Sequence, residues 1–179
     1  GTKRLLISNE YSNRLVHRWR SWESSIMVGT NTALYDDPEL TTRLWPGNSP
    51  VRVVVDMDLR LPTSLKIFGG DTRTIVFNAI KHEQSGPLLY YRVTNDVNLV
   101  HQVLNALYGL NIQSVLVEGG SRLLQSFIDE KAWDEARVIT NDQLMIGAGL
   151  RAPQLACSTL EQEQTILNDR IGIFKPERN

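Results

Sequence analysis

The run Ser114-Val115-Leu116-Val117-Glu118 is a short apolar segment closed by a carboxylate, and it passes at once through Gly119-Gly120 into Ser121. From there Leu123, Leu124, Phe127 and Ile128 recur at helical spacing. A strand that becomes a helix across two glycines leaves little choice of architecture. The strand needs apolar cover on both faces and the helix must return to the sheet, which leads to an α/β layer structure with right-handed crossovers.

The rest of the chain repeats that grammar. Ser25-Ile26-Met27-Val28, closed by Gly29, reads as a buried strand feeding Thr30, the expected N-cap of a brief helix that stops near Asp37-Pro38. Val51-Arg52-Val53-Val54-Val55-Asp56 is the clearest β run, and its β-branched character predicts cover on both faces. Strands are also expected at 74–78, 88–93 and 136–140, with 81–87 as a polar loop. A helix is expected over 9–21, with Tyr11, Leu15, Val16, Trp19 and Trp22 on its apolar face and Arg14, His17, Arg18 and Arg20 on its polar one. A second covers 97–108, ended by Gly109, and weak alternation over 165–174 predicts a closing antiparallel hairpin.

Length and charge narrow the class of molecule. The 179 residues suit one globular domain, and 19 basic against 20 acidic residues give a net charge of −1. No global basic field exists to hold nucleic acid or an anionic membrane, so any anion site must be local. The single cysteine, Cys157, cannot form an internal disulfide, which points to a reducing, cytoplasmic setting. No apolar run approaches the roughly 20 residues of a membrane span, and the start is too short for a signal peptide.

Several constellations can carry chemistry. The free N–H groups and positive dipole end of a helix opening at Ser121 suit a phosphate or pyrophosphate, and the double glycine lets a ligand approach the backbone. The G-x-G-x-x-G fingerprint is absent, and Gly-Gly between a strand and a helix is equally often only a turn. Glu118 lies where open α/β sheets bind ligands, and reads either as a site carboxylate or as an exposed strand end. Asp36 and Asp37 are turn residues that can also meet ribose hydroxyls, while Arg43 has the guanidinium geometry for a phosphate. Arg20 reads as a solvated charge at a helix end, and His17, His82 and His101 as surface residues. Arg14, Arg18 and Arg20 lack an aromatic platform, so no nucleic-acid surface is expected.

Taken in order, SNEYSNRLVHRWR at 8–20, VGTNTALYDDPELTTR at 28–43, VRVVVD at 51–56 and VLVEGGSRLLQSF at 115–127 closely resemble the reductase domain of the bifunctional riboflavin biosynthesis proteins. The resemblance runs over about 6–155. It implies one reductase domain over 1–179 with the dihydrofolate-reductase-like fold: three layers, a mostly parallel central sheet with helices on both faces, and a C-terminal antiparallel hairpin. It implies a 5-amino-6-(5-phosphoribosylamino)uracil reductase that uses NADPH to turn the ribosyl unit into a ribityl chain, and a homodimer. Carried over by position, NADPH contacts fall at Thr32, Asp36, Gly119, Gly120, Ser121, Arg122, Leu123 and Leu124, with weaker correspondences at Leu6 and Met57. Substrate contacts fall at Arg20, Leu40, Arg43 and Glu118. Glu118 is also the candidate to steer the substrate or relay a proton, and Arg60 to meet the cofactor 2′-phosphate.

In the family, an opening strand carrying a lysine and a Ser-x-Asp-Gly-like turn precedes the equivalent of Leu6, and residues 1–4 do not match it. The chain is therefore expected to be a fragment, or one part of a larger molecule, and a weak or inactive reductase as it stands. The zinc-binding deaminase half is unmatched as well, so neither zinc nor deamination is expected. Two other readings stay open: a reductase acting on the related diaminopyrimidine nucleotide, and a nucleotide-binding module without catalysis.

Overall fold

In the computed structural model, which describes residues 8–144 and 149–177, the apolar runs become β1 (Ser25–Gly29), β2 (Val51–Val55), β3 (Thr74–Asn78), β4 (Glu83–Ser85), β5 (Leu88–Arg92) and β6 (Val115–Gly119). They form one sheet in the order β4-β5-β3-β2-β1-β6, parallel except where β4 runs against β5. Leu6, given a cofactor correspondence above, lies outside the described residues.

Four helices accompany the sheet: α1 (Glu10–Trp22), α2 (Thr30–Asp36), α3 (Leu99–Gly109) and α4 (Ser121–Asp129). Alternate strand residues serve opposite faces. Met27, Val53, Val55, Ile75 and Phe77 pack with Val100, Val103 and Leu107 of α3 and Phe127 of α4. Ile26, Val28, Val54 and Val76 pack with Ala33 of α2, Leu40 and Ile67. Cover on both faces is the reason these strands read as continuous β-branched runs.

Two expectations need correction, and the sheet joined by one expected strand emerges only from the fold. The polar loop over 81–87 contains β4, whose three exposed residues are held by pairing with β5 rather than by any apolar pattern. The burial of α1 differs from its apolar stripe: Ser12, His17 and Trp19 are buried, whereas Tyr11 and Trp22 are 52% and 56% exposed. The strand after α4 does not extend the parallel sheet. It is β7 (Ala136–Asn141), which pairs with the tail strands β8 (Ser158–Ile166) and β9 (Asp169–Pro176) in a separate antiparallel sheet of order β7-β9-β8.

This topology fixes where a ligand can go. The chain winds outward from β1 through β2 and β3, then returns to place β6 on the other side of β1. The winding reverses between β1 and β6, and at such a switch point the loops beyond the carboxyl ends of the strands part to leave a crevice. On its outer side β6 faces β7 across a cleft of about 1100 Å³, walled by Ser114, Val115, Leu116, Val117 and Glu118 on one side and by Ala136, Arg137, Val138 and Ile139 on the other.

Candidate functional site

At the switch point two strands hand over to two helices without any side-chain cap. β1 ends at Gly29, the N-cap of α2, and β6 is followed by Gly120, the N-cap of α4; neither helix has a capping hydrogen bond from a side chain. Their first-turn N–H groups are left without an intrahelical acceptor. The expected cap, Thr30, is the first helical residue instead, and its hydroxyl donates to the Val55 carbonyl at 2.7 Å. That bond ties α2 to the end of β2.

The two glycines of the β6–α4 turn have different reasons to be glycine. Gly120 has φ +88°, a backbone conformation that L side chains rarely adopt. Gly119 is extended, but a Cβ there would lie 2.6 Å from Thr32 Cγ2. The space made by Gly119 is therefore filled by Thr32 of α2, not held for a ligand. A Cβ on Gly29 would lie 3.9 Å from Leu123 Cβ, so the β1–α2 and β6–α4 turns touch. Thr32, Gly119, Gly120, Ser121 and Leu123 thus come together at one corner. Arg122 projects as an exposed residue of the first turn of α4, and Leu124 lines the cleft beside β6.

Other expected cofactor contacts stand apart from that corner. Asp36 is exposed at the opposite end of α2, about 9 Å along the axis from Thr30. Asp37, in the left-handed conformation, closes the helix and accepts from the Lys66 N–H at 2.8 Å, which is turn chemistry. Met57 is half-buried just past β2, its carbonyl accepting from the Ala79 N–H at 2.9 Å. Arg60 is exposed, with Asp58 3.8 Å away.

The expected substrate side forms a second cluster next to the first. Arg20 is not a solvated charge: its Nε donates to Glu118 Oε1 at 2.7 Å, its Nη2 donates to Oε2, and its Nη1 donates to the Thr41 carbonyl at 3.0 Å. Side-chain exposures of 13% and 18% make this a largely desolvated, bidentate pair. Glu118 is consequently an arginine-orienting carboxylate in this arrangement. Two N–H groups of Arg20, one on each terminal nitrogen, remain for another acceptor.

The segment that accepts from Arg20 is itself pinned. Leu40 has φ +54° and a side chain only 2% exposed, buried in the core. The Thr42 N–H donates to Ser49 Oγ at 3.1 Å, and the Arg43 N–H donates to His17 Nδ1 at 3.2 Å. The Arg43 guanidinium is 55% exposed and held only by long 3.5 Å contacts to Glu39 and the Thr41 hydroxyl.

His17, like Arg20, is a residue the sequence reading misplaces. It is 1% exposed, and burial, with Arg20 and then Arg43 beside it, pushes its pKa down to about 4 against the opposing pull of the Thr41 backbone carbonyl, which accepts from the ring. It is neutral at pH 7, and because Nδ1 accepts, the proton sits on Nε2. The signal was its i, i+3 spacing from Arg20, which puts both on one face of α1. The aromatic content of α1 also departs from expectation: Arg18 lies 4.8 Å over Trp22 and 5.4 Å over Trp45, so rings do accompany the basic residues, engaged by that arginine. Among the described residues, no three His, Cys, Asp or Glu side chains group to hold a metal, and no helix is long and apolar enough to cross a membrane.

With the geometry established, similarity to known proteins can be placed beside it. The family model of the RibD C-terminal domain matches residues 1–163. The riboflavin biosynthesis protein RibD of Aquifex aeolicus is 30% identical, covering 92% of this chain and 48% of that protein. A 2,5-diamino-6-ribosylamino-4(3H)-pyrimidinone 5′-phosphate reductase of Methanothermobacter thermautotrophicus is 35% identical, covering 81% of this chain and 71% of that protein. The crystal structure of a diaminohydroxyphosphoribosylaminopyrimidine deaminase/5-amino-6-(5-phosphoribosylamino)uracil reductase of Thermotoga maritima superposes with a TM-score of 0.80 at 26% identity, covering 94% of this chain and 49% of that one. The chain therefore spans about half the length of the bifunctional relatives it matches.

Proposed function

The chain belongs to the RibD C-terminal domain family, and from that membership we propose that it is an NADPH-dependent reductase of a phosphorylated ribosylaminopyrimidine in riboflavin biosynthesis. The observation that carries this reading is the corner where two glycine-capped helices open side by side, directly beside the Arg20–Glu118 pair.

The residues present fit the cofactor. N–H groups at the starts of α2 and α4 that no side chain caps, with the positive ends of two helix dipoles, suit a pyrophosphate, and the positive φ of Gly120 brings backbone close to it. Thr32, Ser121, Arg122, Leu123 and Leu124 would line that stretch of NADPH, with Met57, Asp36 and Arg60 reached only by its outer parts. When bound, the cofactor supplies hydride to the former anomeric carbon once the ribosylamine ring has opened. The protein's part is to position, to desolvate and to hold charge. Arg20 keeps two N–H donors for the substrate phosphate, Glu118 fixes the plane of that guanidinium, and Arg43 supplies a second, movable cation. The Leu40 backbone completes the rim.

The substrate is either the aminouracil or the diaminopyrimidinone nucleotide, the latter favoured by the 35% identity to a reductase named for it. Mixing the purified chain with NADPH and each nucleotide, and following loss of reduced-nicotinamide absorbance, decides between them. Oxidation with one and not the other names the substrate. NADPH binding without oxidation of either supports a binding module instead, and no binding of NADPH ends the proposal. A cytoplasmic homodimer completes the reading; light scattering should give twice the 20.3 kDa of one chain.

A further inference from the structure

The Arg20–Glu118 pair explains how one cation is aimed, but the second cation, Arg43, is exposed and weakly held by its own side chain. What fixes it is its backbone. Each residue of the segment that carries it is secured by a different partner: Leu40 by burial in the core, Thr41 by Arg20, Thr42 by Ser49 and Arg43 by His17. Two of those four partners, His17 and Arg20, come from consecutive turns of α1. One rigid helix therefore carries one phosphate-binding group itself and sets the starting point of the other.

We propose that His17 is a positioning residue for substrate binding: by accepting the Arg43 N–H it fixes, relative to Arg20, the backbone from which the Arg43 side chain reaches, so that both guanidinium groups can meet a single phosphate. This rests on the reading that these two arginines take the substrate phosphate. The acceptor role requires a neutral imidazole with a lone pair on Nδ1, which is the state that its buried, arginine-flanked environment imposes. A buried histidine kept only for packing would need no particular tautomer and would have no bearing on anion affinity.

Calorimetric titration of the full chain with ribose 5-phosphate, with ribose and NADPH as controls, separates the two. His17→Leu removes the acceptor and should weaken ribose 5-phosphate about tenfold, the change expected of one lost hydrogen bond, with NADPH affinity unchanged. His17→Asn places an amide oxygen near the position of Nδ1 and should recover most of the affinity. His17→Gln carries its amide one bond further out and should not, which keeps the test decisive if the leucine variant does not fold. Equal binding by the unmodified chain and the Asn and Gln variants overturns the inference while leaving the phosphate reading intact. Failure of the unmodified chain to prefer ribose 5-phosphate over ribose overturns both, and Arg43→Ala binding as tightly as the unmodified chain does the same.

Discussion

Helices α1 and α3 begin in one way, and α2 and α4 in another. Asn9 and Asn98 each place a side-chain oxygen on two first-turn N–H groups, those of Tyr11 and Ser12 and those of Val100 and His101. Asn9 goes further, donating to the Ile166 carbonyl and to the fully buried Asp169, so the cap of α1 is also its attachment to the tail hairpin. By contrast, α2 and α4 start from Gly29 and Gly120 and satisfy none of those groups with a side chain. Capping with Ser, Thr, Asn or Asp typically contributes about 1 kcal/mol, and among the described α-helices it is missing at the two that start at the switch point. The capped helices build the scaffold; the uncapped ones start at two turns that touch.

Four substitutions or conditions probe that division, beginning with the largest effect. The scaffold helix α1 carries neutral His17, whose pKa of about 4 lies below the 6.5 of the unfolded chain. As pH falls through that window the unfolded state takes the proton first, so stability declines from pH 6.5 to 4, by roughly 3 kcal/mol in full. Urea midpoints across this range should show the slope, and His17→Asn should flatten it. An unchanged slope in that variant would remove His17 from the account.

Gly29→Asp turns an uncapped helix into a capped one. The N-cap backbone there is extended, and the nearest side-chain atom to a new Cβ is 3.9 Å away, so the change is tolerated. The variant should gain about 0.5–1 kcal/mol of stability and lose about 100-fold in NADPH affinity, since a carboxylate occupies the donors and repels the pyrophosphate. Affinity and stability that move together would break the comparison.

Gly119→Ala drives a methyl into Thr32 and should cost about 1–3 kcal/mol, seen as a lowered Tm. Adding Thr32→Ser removes the clashing Cγ2 and should restore most of it. If the double variant is no better than the single, the space at Gly119 serves something other than Thr32. The smallest effect is at the scaffold end: Asn98→Ala should lower stability by about 1 kcal/mol and leave the Kd for NADPH where it was.

The legible and illegible parts of this molecule divide on sequence distance. Local patterns show β1, β2, β3 and β6 and the glycine turn at 119–120, because each depends on residues within a few positions. β4 has no apolar signal and exists only through its ladder with β5. Alternation alone shows that 136–140 is a strand but not which sheet it joins. The role of Gly119 depends on Thr32, and the states of Arg20 and His17 depend on Glu118, Thr41 and Arg43. Read in isolation, a paired arginine and a buried histidine on a charged helix resemble solvated residues, and only the folded neighbours change them. Resemblance to the reductase family identifies Arg20, Arg43 and Glu118 as a group, whereas the bond from Arg43 to His17 comes from the structure.

The central claim is that NADPH is held by the helices that lack caps, and backbone amide resonances read it most directly. On titration with NADPH, the amides of Thr30, Asn31 and Thr32 and of Ser121, Arg122 and Leu123 should shift together, while those of Tyr11, Ser12, Val100 and His101 stay in place. Shifts confined to the capped helices, or spread along the β6–β7 cleft with the glycine corner unmoved, would contradict it.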